Sequence, residues 1–368
     1  MLFLLLAGAG GFYLLQHIIY KKCWNSRLDI AVDFEVRSAY EGDTSYLREE
    51  ITNDKRLPLP ALEVNLAMDR SLIFSGDAKE NSNITDQSYR RDIFSLFTRQ
   101  KVVRRLPFLC EKRGYYEITN ADVIGYDFFF RNSYHQSQEL NTALYVYPGL
   151  VDTRRIILLC KALSGMIVTQ NRLFPDPFCF SGIRDYHPSD PMHNINWKAS
   201  AKGQGLLVNQ SDSTTSIRMR IILDTEDSGI LRHEELTEEG IRIAASLSSR
   251  IAKERMELTV TGNGMNTICL KEGAGQIQAL FQELSRINIH KPVKRLTEEL
   301  KGEREHLQSD VVYVIISMNQ DAETVRGIAS MAEKGSRVLW VIPVQSSAEY
   351  TAKNIKDVNI FKWEMNAS

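Results

Sequence analysis

Short apolar runs alternate with segments of helical periodicity through the second half of the chain, and this alternation constrains the fold more than any other feature. Four runs have the length of a strand and lie at 217–223, 258–261, 311–316 and 338–342. Between the first two, Leu236, Ile243, Leu247 and Ile251 share one helix face, since a helix turns about every 3.6 residues. Strands that alternate with helices predict a mostly parallel, doubly wound α/β sheet.

The first half of the chain has a different pattern, in which polar and apolar residues alternate. Every second residue of the segment 28–36 is apolar, while Asp29, Asp33 and Glu35 lie between them. This period of two predicts a strand that is buried on one face. Similar short segments recur up to residue 147 with turn residues between them, which is typical of a β-sandwich.

Composition limits the possible chemistry. A length of 368 residues suggests two or three domains. The 45 Lys and Arg against 46 Asp and Glu give a net charge of −1, which disfavours nucleic acid as a partner. Lys101, Arg104 and Arg105 lie in an alternating segment, which favours a solvated hairpin face over an anion site. The five cysteines include no C-x-x-C pair, which disfavours a zinc site or a disulfide framework.

The N-terminal residues 1–20 contain no charged side chain and are rich in Leu and Ile. As a helix they would extend about 30 Å, the thickness of the hydrocarbon core of a bilayer. Lys21, Lys22 and Arg27 follow, and cations on that flank favour a cytoplasmic location for the rest of the chain. We therefore expect a transmembrane anchor in a single-pass protein of the cell membrane. A cleaved signal or a buried helix is the alternative, because glycines, a glutamine and a histidine interrupt the apolar run.

The run SGIRDYHPSDPMHNINWKASAK at 181–202 is the most distinctive segment of the chain. It resembles the signature of the family called domain of unknown function 58, which has an Arg-x-Tyr, a Pro-Gly-Asp turn, and then Ile-x-Trp-Lys-x-Ser-Ala before a basic residue. The matching positions are Arg184, Tyr186, Pro188, Asp190, Ile195, Trp197, Lys198, Ser200, Ala201 and Lys202. Ser189 replaces the usual glycine, and His193 replaces a frequent arginine.

The resemblance implies an anchored protein in which a β-sandwich-like region precedes a von Willebrand factor A-like domain. It also implies association with MoxR-type AAA+ ATPases and, in some members, with transglutaminase-like membrane proteins. The expected domains are an anchor at 1–20, a β-sandwich-like domain at 28–150, a connecting segment with the signature at 151–212, and the von Willebrand factor A-like domain at 213–368. The expected fold class is therefore α+β multidomain: a transmembrane helix, a β-sandwich-like domain and a doubly wound α/β domain.

Two interpretations of the signature stay open. Its candidate binding residues are Arg184, Tyr186, Asp190, Trp197, Lys198, Ser200 and Lys202. In a folding clasp, the arginine would pair with a neighbouring aspartate, the tryptophan would cover a sheet edge, and a lysine would cap carbonyls. In a binding site, the arginine and the two lysines would hold an anion or an acidic partner, with the aromatic rings as anchors.

The same resemblance implies a place for Mg²⁺, because von Willebrand factor A-like domains can hold the ion with a D-x-S-x-S loop. The corresponding loop here is DTEDS at 224–228. Asp224 and Ser228 match that pattern, but Glu226 occupies the first serine position and would replace a coordinating hydroxyl with a longer, charged side chain. We expect a degenerate metal site and no resident cofactor, with Mg²⁺ as the ion that the loop could hold.

The leading hypothesis is a membrane-anchored, non-enzymatic adaptor that docks a MoxR-type AAA+ ATPase or a membrane client through a degenerate von Willebrand factor A-like domain. The sequence has no G-x-x-x-x-G-K-[ST] loop, so ATP hydrolysis would belong to the partner. The alternative is a metal-assisted hydrolase that uses the acidic loop at Asp224, with Asp224, Glu226 or Asp190 as the acting residue. A third interpretation is a purely structural scaffold of the cell envelope.

Overall fold

The elements of the fold are taken from a computed structural model, which describes residues 2–74, 87–168, 182–187, 195–201, 205–210, 218–227, 232–253, 256–271, 274–308, 311–332, 336–345 and 355–365. Two compact units are distinguished by their internal contacts. The first unit comprises Met1–Gly149 with Phe281–Ile287, and the second comprises Leu150–Leu280 with Asn288–Ser368. Strands outnumber helices in the described part of the chain, seventeen to seven.

The first unit contains helix α1 and nine strands. They are α1 (Leu2–Cys23), β1 (Leu28–Phe34), β2 (Ser38–Tyr40), β3 (Thr44–Asn53), β4 (Leu59–Asp69), β5 (Leu72–Phe74), β6 (Gln87–Leu96), β7 (Gln100–Cys110), β8 (Gly114–Tyr126) and β9 (Ser133–Tyr147). One sheet has the order β1-β3-β7-β5 and the other β2-β9-β8-β4-β6. Alternate residues of β1 are buried, as expected when a sandwich buries one face of each strand. On this buried face, the ring of Phe34 lies 5.7 Å from that of Phe108 on β7 of the same sheet.

One face of helix α1 packs on this sandwich. Tyr20 and Trp24 belong to its buried core, and the ring of Trp24 stacks on Tyr134 at 6.1 Å. Gln16 is buried, and its Nε2 donates a hydrogen bond to Asp127 Oδ2 at 3.2 Å. A Cβ atom at position 125 would lie 2.4 Å from the ring of Trp24, so the close approach of this residue, which follows α1, requires Gly125.

The membrane predictions for this segment are wrong. Among the described residues, no helix combines the length and the apolarity that crossing a membrane requires. The transmembrane helix of the predicted fold class, the anchor at 1–20 and the single-pass membrane localisation are corrected accordingly. The segment holds Gly8, Gly10 and Gly11 in its first half and Gln16 and His17 in its second, and these residues lower its apolar character.

The second unit is built on a six-stranded sheet with the order β14-β13-β12-β15-β16-β17. Its elements are α2 (Thr153–Val168), β10 (Gly182–Asp185), α3 (Trp197–Ser200), β11 (Leu207–Gln210), β12 (Arg218–Leu223), α4 (Glu234–Lys253), β13 (Leu258–Gly262), β14 (Ile268–Leu270), the first part of α5 (Ala274–Arg286, which belongs to the first unit from Phe281 on), α6 (Leu296–Glu305), β15 (Val311–Ile316), α7 (Ala322–Ala332), β16 (Arg337–Val344) and β17 (Val358–Glu364). All neighbouring strands of this sheet are parallel except the edge pair β13 and β14.

Helices cover both faces of the central strands. Every residue of β15 is buried, as expected for a strand between two helical layers. Leu296 and Leu300 of α6 and Ile328 of α7 share one core with Tyr313. On α4, the Cβ position of Gly240 lies 3.5 Å from Ile316. The parallel arrangement brings the carboxyl ends of β12, β13 and β15 to one edge of the sheet.

A buried charge cluster links the two sheets of the first unit. Glu49 on β3 is 1% exposed and lies directly opposite Arg104 on β7, with 3.2 Å between Glu49 Oε2 and Arg104 Nε. Arg104 also pairs with the buried Asp92 on β6, and Arg90 Nε lies 2.7 Å from Asp92 Oδ2. Burial, together with the negative charge of Asp92, raises the pKa of Glu49 to about 7.

We predict that Glu49→Gln removes a pH dependence of stability. In the folded protein the pKa of Glu49 is raised above its ordinary value of 4.5. The protonated side chain therefore stabilises the fold fully below pH 4.5, and this stabilisation is lost as the pH rises through about 7. The free energy of unfolding of the variant, relative to that of the natural protein, should therefore rise by up to about 3 kcal/mol between pH 4.5 and pH 8. Urea unfolding at a series of pH values measures this difference.

The matched control is Glu50→Gln on the same strand. Hydrogen bonding by Lys101 and Arg48 holds the pKa of Glu50 below its usual range despite some desolvation, so this variant should lose stability relative to the natural protein as the pH rises. A difference between Glu49→Gln and the natural protein that is constant with pH would contradict the assignment.

Candidate functional site

Polar residues follow directly after three neighbouring parallel strands of the second unit. Asp224 follows β12, Asn263 follows β13, and Ser317 and Asn319 follow β15. With Thr225, we call these residues the strand-end cluster. The carboxyl edge of an open parallel sheet is where ligands usually bind in α/β proteins, so this cluster is the first place to look for chemistry.

The carboxylate of Asp224 is the centre of the cluster. It is 5% exposed and accepts hydrogen bonds on both oxygens. Oδ1 accepts from Asn263 Nδ2 at 2.7 Å and from the backbone nitrogen of Glu226 at 3.0 Å. Oδ2 accepts from Ser317 Oγ at 2.6 Å and from Asn319 Nδ2 at 2.8 Å. Desolvation raises the pKa of Asp224, and these four hydrogen bonds oppose that rise.

Backbone groups fix the orientation of both asparagine amides. Asn263 Oδ1 accepts from the Thr225 backbone nitrogen at 2.7 Å, and its Nδ2 donates to the Lys294 carbonyl at 3.0 Å. Asn319 Nδ2 likewise donates to the Glu226 carbonyl at 2.8 Å. Each amide therefore presents its N–H groups, not its oxygen, to the carboxylate of Asp224.

This donor set does not fit Mg²⁺. The ion needs oxygen ligands in octahedral geometry, whereas the neighbours of Asp224 are N–H and O–H donors that use both of its oxygens. Asp321 is engaged elsewhere, because its carboxylate caps α7 by accepting from the backbone nitrogen of Thr324 at 2.9 Å. In the part of the chain that the structure describes, no three His, Cys, Asp or Glu side chains form a metal-binding group.

The remaining residues of the predicted metal loop lie beside the cluster. Glu226 is half-buried; desolvation and the nearby charge of Asp224 raise its pKa. Its Oε2 accepts a long hydrogen bond of 3.4 Å from the Leu296 backbone nitrogen. Asp227 accepts a hydrogen bond from the His233 backbone nitrogen. Ser228 lies outside the described residues.

The signature segment forms a small structure of its own in the second unit. β10 pairs with β11 in antiparallel register, which places Arg184 opposite Val208. Beyond β10, the backbone nitrogen of Tyr186 donates to the Leu206 carbonyl at 2.8 Å. Asp190 and Lys202 lie outside the described residues.

Helix α3 carries three of the predicted signature residues. Asn196 caps this helix by accepting from the Ala199 backbone nitrogen at 3.0 Å. Ser200 Oγ donates to the Asn196 carbonyl at 2.8 Å and accepts from the Leu207 backbone nitrogen at 2.8 Å, so it ties the helix to β11. The Trp197 side chain, by contrast, is 62% exposed, and Lys198 beside it is exposed as well.

Sequence reasoning found Asp224 but missed the roles of Asn263 and Asn319. Their one sequence signal is position, since each follows a strand of the parallel sheet within three residues. Gly262 shows how tightly the strand ends approach: a Cβ atom there would lie 2.2 Å from the Leu223 carbonyl oxygen.

We predict that Asp224→Ala destabilises the second unit by about 3 kcal/mol. The substitution leaves the buried donors of Asn263, Asn319 and Ser317 without their acceptor, and each unsatisfied buried donor costs about 1–3 kcal/mol. Equilibrium unfolding in urea measures the loss. Glu226→Gln is the control in the same loop, since it removes a charge that is repelled by Asp224 and should cause no loss. Equal effects of the two substitutions would contradict a structural role for Asp224.

We also predict that millimolar Mg²⁺ leaves the melting temperature of the full chain unchanged. A ligand that binds only the folded state raises the melting temperature, and the rise grows with the ratio of ligand concentration to dissociation constant. Both carboxylate oxygens of Asp224 already accept two hydrogen bonds each, so we expect no such binding. Thermal scans with and without the ion test this. A rise in melting temperature with Mg²⁺ that disappears in Asp224→Ala would show that the groups around Asp224 do bind the ion.

Comparisons with known proteins add little to this site. No family model matches the chain. A stretch of 180 residues is 22% identical to the uncharacterized protein YeaD of Bacillus subtilis (strain 168), covering 48% of this chain and 42% of that relative. Among solved structures, the human CEP192 PapD-like domain 7 matches 33% of this chain and 87% of its own at 14% identity, with a TM-score of 0.21. A non-cellulosomal cohesin of Archaeoglobus fulgidus matches 36% of this chain and 97% of its own at 12% identity, with a TM-score of 0.23.

Proposed function

We propose that this protein is a non-enzymatic adaptor that docks a MoxR-type AAA+ ATPase through its second unit. The choice of partner rests on the resemblance of the signature segment to the family called domain of unknown function 58, whose members are typically associated with such ATPases. The protein supplies a docking surface, and the ATPase supplies the hydrolysis.

The observation that carries the proposal is the exposed pair Trp197 and Lys198 on helix α3. A tryptophan that is 62% exposed leaves a large apolar area in water, and tryptophan is enriched among the residues that dominate binding at protein interfaces. Ser200 and Asn196 hold the short helix in place through their hydrogen bonds. The aromatic ring and the cation are therefore presented on a fixed backbone, which lowers the entropy lost on binding.

The strand-end cluster supports a non-enzymatic role. A general base or nucleophile must reach a substrate, but the Asp224 carboxylate is buried and accepts hydrogen bonds from protein groups on both oxygens. The hydrolase alternative at Asp224 would need that carboxylate to bind a metal ion or a water molecule instead. No observation on the described residues favours it.

We predict that Trp197→Ala combined with Lys198→Glu weakens binding of the ATPase at least tenfold. The change removes the apolar anchor and reverses the adjacent charge, and tenfold corresponds to about 1.4 kcal/mol. The tagged full chain and the variant are each titrated with the purified MoxR-type ATPase of the same organism in the presence of ATP. Phe97→Ala is the matched control, because Phe97 is a 72% exposed aromatic residue of the first unit.

Two outcomes count against the proposal. The natural chain fails to bind the ATPase, or the double variant binds as well as the natural chain while melting at the same temperature. Binding of a transglutaminase-like protein in place of the ATPase would retain the adaptor role but reject the proposed partner.

A further inference from the structure

An open cleft lies in the first unit where helix α1 ends. Its walls come from the last turn of α1, the segment before β1, the loop between β3 and β4, and the turn between β6 and β7. Its volume is about 710 Å³, within the range of about 300–1,000 Å³ that is usual for small-molecule sites. The cleft lies outside the strand-end cluster and the signature segment.

Lys55 is one of the residues that line this cleft, and its ammonium group is buried. The residue is 7% exposed, and its Nζ has no hydrogen-bond partner among the described residues. Burial lowers its pKa to about 8. An unpaired buried ammonium destabilises a fold. Its presence in a residue that lines a cleft therefore points to a role in binding.

The cleft has an excess of positive charge. Arg27, Arg56 and Arg99 line it together with Lys55, and among the described residues of the lining Asp54 is the one acidic residue. Guanidinium groups bind oxyanions with paired N–H donors, whereas an ammonium group binds them as a point charge. Such a combination is suited to a phosphate group.

The backbone around the cleft is fixed in an uncommon conformation. Arg27 has φ 50° and Arg99 has φ 51°, and both values lie in the left-handed region that side chains other than glycine seldom adopt. The backbone nitrogen of Arg99 donates to the Lys55 carbonyl at 3.1 Å. Asn53 Nδ2 donates to the Leu57 carbonyl at 3.0 Å and to the Phe97 carbonyl at 2.8 Å. These bonds hold the two loops together without a ligand.

We propose that this cleft binds the phosphate group of a small phosphorylated metabolite, with Lys55 at its buried end and the three arginines around it. The cleft is larger than a phosphate ion, and Ile19 and Leu57 in its lining give the organic part of the ligand an apolar surface. The expected ligand class is therefore a phosphate monoester.

The experiment titrates inorganic phosphate and glycerol 3-phosphate into the full chain by calorimetry at constant ionic strength. We expect both to bind, the monoester more tightly, and Lys55→Met to weaken both at least tenfold. Lys112→Met is the control for charge, since Lys112 is exposed and lies outside the cleft. Lys55→Met should also melt at a higher temperature than the natural chain, because it removes an unpaired buried charge while keeping a side chain of similar length.

Several results would overturn the proposal. They are no binding of either probe to the natural chain, equal binding by Lys55→Met, and an equal loss of binding in Lys112→Met. Binding only to phosphatidic acid vesicles, with neither soluble probe bound, would reject a free metabolite as the ligand. A lower melting temperature of Lys55→Met would show that the ammonium group is satisfied within the fold, and this too would count against the site.

Discussion

The second unit depends on the hydrogen bonds that the buried carboxylate of Asp224 accepts. A carboxylate is costly to remove from water unless hydrogen bonds replace its hydration, and here four donors from three chain segments do so. Because the donors come from the residues after β12, β13 and β15, the carboxylate fixes where each of these strands ends. The same bonds occupy both oxygens of the carboxylate, so the position of Asp224 in this loop has a structural explanation.

The effect of a buried charge on stability depends on its partners, as three of the described residues illustrate. Asp224 is satisfied by neutral donors, and Glu49 faces both a cation and a second carboxylate. Lys55 has no partner among the described residues. The first arrangement stabilises a fold, the second makes its stability depend on pH, and the third costs stability unless something outside the chain compensates. Satisfaction of hydrogen bonds, not burial alone, therefore separates the structural charge from the candidate binding charge.

Periodicity predicts individual strands better than it predicts where strands are continuous or what an element packs against. The alternating segment 28–36 corresponds to β1 (Leu28–Phe34), and the apolar run 311–316 is the fully buried β15. Periodicity divides the region 115–126 into two short strand-like segments, 115–118 and 122–126, but both belong to one strand, β8, whose register with β9 shifts between Ile118 and Asn120. A bulge of this kind breaks the period of two without ending the strand. The prediction of a transmembrane helix was wrong for a related reason. The absence of charges in a run does not reveal that Tyr20 and Trp24 pack in a core with residues more than 100 positions later in the chain.

The site shows where sequence reasoning reaches its limit. The place of Asp224 at the end of a parallel strand follows from local pattern, but its chemistry depends on Asn263 and Asn319, which lie 39 and 95 residues away. Nothing in the loop itself tells whether a carboxylate faces amide N–H groups or a cation. Lys55 presents the same difficulty, because a lysine between two charged residues is ordinarily exposed, and only the folded first unit shows it buried beside a cleft. Local sequence thus locates candidate residues, while the long-range partners decide whether each one is part of the framework or a place for a ligand.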